Sequence, residues 1–216
     1  MTVILGSGSP RRLELLRSVG VEPRVVSPDI DESVLEGELP ADYVRRLASA
    51  KLDAVMKTVG AVNVGAILIA ADTTVDVDGV IFGKPADDAE AVKMLLALSG
   101  RRHQVHTGFA VAVAGPGCRG VDWDGHVEVV SSTVTFRSVP IPEIIAYVDS
   151  GEPRDKAGAY AIQGGAAGFV EQVEGSLNAI IGLPIERLTE IVQRTGASVR
   201  VMPIDLGGKV FPISGG

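Results

Sequence analysis

The chain has 216 residues, 46% of them hydrophobic but only 4% aromatic, and a formal net charge of −7. That length suits one large α/β domain, or two small lobes sharing a sheet, around a core of Val, Ala, Leu and Ile. The acidic balance argues against a nucleic-acid polymer as ligand, since phosphate affinity rests on a positive field, but it leaves room for a small anion where basic residues cluster.

TVILG reads as a short buried strand. Ser9 and Pro10 then open a helix, Ser9 as N-cap and Pro10 at the first position, with Leu13, Leu16 and Val19 at helical spacing and Gly20 as the stop. PRVVS is a second short strand, and SPDIDESVLEGELP a polar loop. Residues 41–58 form an amphipathic helix with Tyr43, Val44, Leu47, Ala48 and Val55 on one side and Lys51 on the polar side. AILIAADTTVDV looks like a central strand, and Asp78-Gly79 turns it into VIFG as a hairpin. The longest apolar run, AVNVGAILIAA, contains Asn and Gly and is too short to span a bilayer.

Asp87 and Glu90 suit the N-cap and N3 positions of a helix reaching Leu98. Residues 103–114 and 126–136 read as two long strands, joined by the turn-rich tip GPGCRGVDWDG. That tip holds the single cysteine, Cys118, which excludes an intrachain disulfide and a cysteine-based zinc site. With no secretory signal visible, a cytoplasmic location is the expectation. A helix follows at 140–149, then the glycine-rich loop EPRDKAGAYAIQGGAAG, the strand FVEQVEG, a helix at 184–193 and a final strand SVRVMPI. No repeat or linker interrupts this alternation, so residues 1–216 read as one α/β unit whose long loops gather at a cleft.

The stretch SGSPRR is odd for a helix start. A helix N-terminus carries about half a positive charge, so Arg11 and Arg12 there each lose a few tenths of a kcal/mol, up to about 1. A docked anion reverses that sign. Gly6, Ser7, Gly8 and Ser9 allow close backbone approach and offer hydroxyl donors, so the turn reads as a phosphate cradle. No GK[ST] follows, so it is not a Walker A loop. Two solvated arginines on a surface helix are the alternative.

Asp72 ends the apolar stretch AILIAAD, where a carboxylate is well placed for a site. Asp29, Asp31 and Glu32 crowd the loop after the second strand; carboxylates plus a triphosphate make an oxygen-rich magnesium site, whereas alone they are a solvated loop. Lys84 in FGKP is held rigidly by Pro85. The three histidines show no metal spacing, and His103 and His106 should point to opposite faces of a strand. QGGAAG lacks the glycine order of a dinucleotide fold, which speaks against an NAD-type oxidoreductase.

Four ordered blocks, LGSGSPRRLELL, RLASAK, AADTTV with FGKP, and DKAGAYAIQGGAAGFVEQVEGSLNAIIGLP, together resemble the Maf family of nucleoside triphosphate pyrophosphatases, nearly end to end. The resemblance implies an α/β fold similar to inosine triphosphate pyrophosphatase: an elongated mixed sheet with flanking helices and two lobes around a cleft. It implies that Ser7, Arg11 and Arg12 bind phosphate, that Lys51 and Lys84 face the triphosphate, and that Asp72 is the proton acceptor. Glu32 matches an acidic position near substrate and metal, so Asp72 and Glu32 are the expected ligands of a magnesium or manganese ion. Arg11, Thr73 and Gln163 stand at the positions that sort substrates and match the branch acting on dTTP and UTP. A neutral amide at Gln163 complements the imide edge of thymine or uracil, although it can also read purines. The implied activity is hydrolysis of a nucleoside triphosphate to monophosphate and pyrophosphate. The alternative is a nucleotide-binding regulator of cell division without catalysis. Whether the chain forms a homodimer is left open, and the long hairpin tip, a departure from the compact family pattern, bears on that.

Overall fold

The computed structural model describes residues 2–59, 63–115 and 123–194. The final strand expected in SVRVMPI and the Cys118 tip lie outside them.

Strand β1 (Val3–Gly6) leads into helix α1 (Pro10–Ser18), and β2 (Arg24–Val25) follows. Helix α2 (Pro40–Val59) precedes the hairpin of β3 (Ile67–Val77) and β4 (Val80–Phe82). Helix α3 (Asp88–Leu98), the long strands β5 (Arg102–Ala114) and β6 (Trp123–Phe136), and α4 (Ile141–Asp149) come next. Three short 3₁₀ turns occupy the glycine-rich loop before β7 (Val170–Glu174), α5 (Leu177–Ile181) and α6 (Ile185–Arg194). Helix α5 and the 3₁₀ turns are not visible in the sequence pattern.

Among the described residues the strands form one mixed seven-stranded sheet in the order β2-β1-β3-β5-β6-β7, with β4 paired to β3. Strand β1 runs parallel to β2 and β3, while β3, β5, β6 and β7 pair antiparallel in sequence. One face of β3 (Ile67, Ile69, Ala71, Val75) joins the large core with α1, α3, α4 and α6. The other (Leu68, Ala70) packs under α2 with Ala48, Leu52 and Val55. Helix α2 lies very close to the sheet because Gly108 has no side chain; a Cβ there would stand 2.2 Å from the Val44 carbonyl oxygen.

Local signals explain several boundaries. Gly20 (φ 81°) closes α1: its N–H bonds to the Arg17 carbonyl and Val21 N–H to that of Leu16, each at 2.9 Å. Asp87 caps α3 by accepting from Glu90 N–H at 2.7 Å, while Glu90 reaches back to Ala86 N–H. Asp78 and Gly79, both at positive φ, make the β3–β4 turn. No helix among the described residues is long and apolar enough to cross a membrane.

Candidate active site

Strand β1 stops at Gly6, opposite Ala70, and β4 joins β3 only from Val75. Among the described residues, 71–74 therefore have no strand neighbour on that side, and a cleft of about 610 Å³ lies along this free edge. Successive β3 side chains leave on opposite faces. Asp72 meets α2 and Thr73 meets α1, so the site wraps around the edge and draws on both layers.

On the α2 face, Lys51 Nζ lies 2.5 Å from Asp72 Oδ1 and 2.7 Å from Glu32 Oε1. Lys51 is only 7% exposed, because it faces the sheet beside Leu47, Ala48 and Leu52. This corrects its placement on the polar side of the helix. The Tyr43 hydroxyl donates to the Glu32 carbonyl at 3.0 Å. Burial, then the charges of Asp72 and Glu32, push the Tyr43 pKa up to about 12, so it remains a donor.

On the α1 face, Arg12 is 8% exposed. Its Nε donates to the Gly182 carbonyl at 2.8 Å, Nη1 to Ser7 Oγ at 2.9 Å and Nη2 to Thr73 Oγ1 at 3.1 Å. Thr73 Oγ1 is hydrogen-bonded to Thr107 Oγ1 at 2.8 Å, and Thr107 donates to the Ala179 carbonyl at 2.7 Å. Every one of these partners is neutral, and no carboxylate comes within 4 Å of Arg12 among the described residues. Burial lowers the Arg12 pKa, with the Asp72 charge opposing it. Burying a cation without a counter-charge costs several kcal/mol, and an anion in the cleft would offset it.

The start of α1 adds to the same demand. Ser9 is the extended N-cap residue, as expected, but its side chain makes no capping hydrogen bond; Ser7 Oγ accepts from Ser9 N–H at 3.2 Å. No acid stands in the first turn. Among the described residues, the one ion pair of Arg11 is a 3.9 Å pairing with Asp155. Lys84, just past β4, is exposed and makes no ion pair among the described residues. Gly83 next to it accepts from Gly158 N–H at 3.0 Å, which ties the glycine-rich loop to the cleft. Gln163 is exposed on the wall supplied by that loop.

All of Ser7, Arg11, Arg12, Glu32, Lys51, Asp72, Thr73, Lys84 and Gln163 line this one cleft. Two have duties that sequence reading did not foresee: Lys51 is occupied by carboxylates, and the Thr73 hydroxyl holds Arg12. Lys156 was missed; its Nζ donates to the Glu152 carbonyl at 2.7 Å and to Asp155 Oδ1 at 2.5 Å on the cleft wall. A charged Asp-Lys pair inside a glycine-rich loop was the available signal. Thr107, in mid-strand, offered none. Among the described residues no three His, Cys, Asp or Glu side chains converge as metal ligands. Asp72 and Glu32 could supply two hard oxygen donors, which fits a cation whose remaining ligands come from substrate and water.

Arg12, buried among neutral partners on one wall, and Lys51 with its two carboxylates on the other make this a strongly charged cleft at the sheet edge of an α/β protein. The chain belongs to the Maf family: the Maf-like protein family matches residues 2–195. A relative from Geotalea uraniireducens (strain Rf4), a dTTP/UTP pyrophosphatase, is 46% identical over 196 residues, covering 90% of this chain and 95% of its own. The dTTP/UTP pyrophosphatases of Methylobacillus flagellatus and Hahella chejuensis are 43% and 45% identical, each covering 91% of this chain and 94% of their own. Among solved structures, the Staphylococcus aureus Ham1 protein aligns over 90% of this chain and 100% of its own with a TM-score of 0.47 and 13% identity.

Proposed function

We propose that this protein is a nucleoside triphosphate pyrophosphatase that cleaves between the α- and β-phosphorus, with dTTP and UTP as preferred substrates. The observation that carries this reading is Arg12: a buried guanidinium whose partners among the described residues are all neutral, in the same cleft as Asp72. A polyphosphate supplies the missing negative charge, and the family relatives named above act on dTTP and UTP.

Arg11, Arg12, Lys84 and the open N-terminus of α1 bind and orient the phosphates, so that charge moving onto the departing pyrophosphate meets cations already in place. Ser7 donates from the β1–α1 turn while holding Arg12. Asp72 takes the proton from the attacking water and aligns it on the α-phosphorus. A magnesium or manganese ion held by Asp72, Glu32 and phosphate oxygens would neutralise phosphate charge and acidify water at the site. Gln163 offers a donor and an acceptor to the base, and Thr73 sets the position of Arg12 for the phosphates.

Pyrophosphate release should be assayed over a panel of normal and modified triphosphates with Mg²⁺. Release that is fastest with dTTP and UTP is expected. Equal rates on all bases would remove the pyrimidine preference, and no release from any would overturn the reading.

A further inference from the structure

Lys51 occupies an unexpected place. Its ammonium sits within 2.7 Å of oxygens from both Asp72 and Glu32, which come from different parts of the chain. Hard divalent cations hold carboxylate oxygens at about 2.0–2.6 Å. An ion bridging this pair would need nearly the same point in space, and the two cannot share it. Lys51 is itself buried, so it cannot move aside into bulk water without leaving its α2 seat.

We infer that Lys51 is a positioning residue whose ammonium stands in for the divalent cation, holding Asp72 and Glu32 together and shutting out free metal until a polyphosphate draws the ammonium away. This rests on the pyrophosphatase reading, because the phosphates give Lys51 its second set of partners. With Lys51 in place the trio carries one net negative charge, and without it two. Free metal therefore competes against a covalently tethered cation at high local concentration. A nucleotide changes the balance twice: its oxygens complete the metal's shell, and they accept the displaced ammonium. Metal entry becomes dependent on substrate, and an idle site is kept from binding metal that would activate water with nothing to attack.

The test is Mn²⁺ titration of the protein without nucleotide, followed by the spin-resonance signal of free Mn²⁺. Lys51→Met and Lys51→Gln should each bind Mn²⁺ at least tenfold tighter than the wild type, despite losing turnover. Lys51→Arg, which keeps a cation, should bind as weakly as the wild type. The Tm of Lys51→Met should also rise on Mn²⁺ addition by more than that of the wild type, which reports folding in the same experiment. Adding Asp72→Asn to Lys51→Met should abolish the gain. Equal or weaker Mn²⁺ binding by both Lys51→Met and Lys51→Gln would overturn the inference, as would a gain that survives Asp72→Asn. Pyrophosphate release by the wild type is a separate measurement: its absence would sink the functional reading while the Mn²⁺ comparison stands by itself.

Discussion

Asp72 holds Lys51 through Oδ1, and the proposed mechanism asks it to serve as base for water as well. Asparagine preserves its shape and removes its charge and basicity. Asp72→Asn should lower turnover by roughly 10²–10⁴-fold, while nucleotide affinity, set mainly by the arginines, stays within a few-fold; near-normal rates would contradict the assignment. Thr73 acts through Arg12. Thr73→Val removes the oxygen that receives Nη2 and breaks the chain to Thr107 and the Ala179 carbonyl. It should reduce kcat/KM by about tenfold, equivalent to about 1.4 kcal/mol, and Thr73→Ser should restore most of it. At this scale the sequence exposed residue types well, since Arg11 and Arg12 stand out at a positive helix end. It hid their company: that Arg12 is buried, or that Lys51 faces carboxylates, depends on which side of α1 and α2 meets the sheet.

Elements whose limits rest on local chemistry were legible. Gly20 and Asp87 carry their own stop and start signals, and Asp78-Gly79 specifies its hairpin. Helix α5 was not, because five residues cannot display a helical period, although Ser176 does cap it by accepting from Ala179 N–H at 3.1 Å. The 3₁₀ turns of the glycine-rich loop follow from contacts, such as Gly158 against Val75, rather than from periodicity. The seating of α2 gives a prediction at this scale. Gly108→Ala would place a Cβ 2.2 Å from the Val44 carbonyl oxygen. Either α2 lifts or β5 shifts, at a cost of about 1–3 kcal/mol. Calorimetry should show a lowered Tm, and turnover should fall as well, because α2 carries Lys51.

For the molecule as a whole, charge is unevenly distributed. The chain carries −7, yet five basic and three acidic side chains line the cleft. A local positive field in an acidic protein should speed capture of an anionic substrate, and salt should screen it. kcat/KM is expected to fall as ionic strength rises from 50 to about 500 mM, mainly through KM; a flat profile would contradict steering. Acid stability has a separate source. His103 is buried beside Phe136 and Tyr160, and burial pushes its pKa from 6.5 to about 4. On unfolding it regains the ordinary value, so the unfolded chain binds the extra proton. Its contribution is complete above about pH 6.5 and is lost as pH falls toward 4, amounting to about 2 kcal/mol by pH 5. Urea midpoints at pH 7 and pH 5 should differ less for His103→Gln than for the wild type.

The division of labour along β3 has a consequence for how errors in folding are exposed. Acid chemistry lies to one side of this strand and cation anchoring to the other, at adjacent residues. A slip of β3 by a single residue against β5 would turn Asp72 toward the apolar layer and offer Thr73 to Lys51. Such a chain would forfeit both halves of its chemistry at once. Correct pairing of the central strands is thus a condition of any activity, and no partly shifted form can work as a slower or less selective version of the protein.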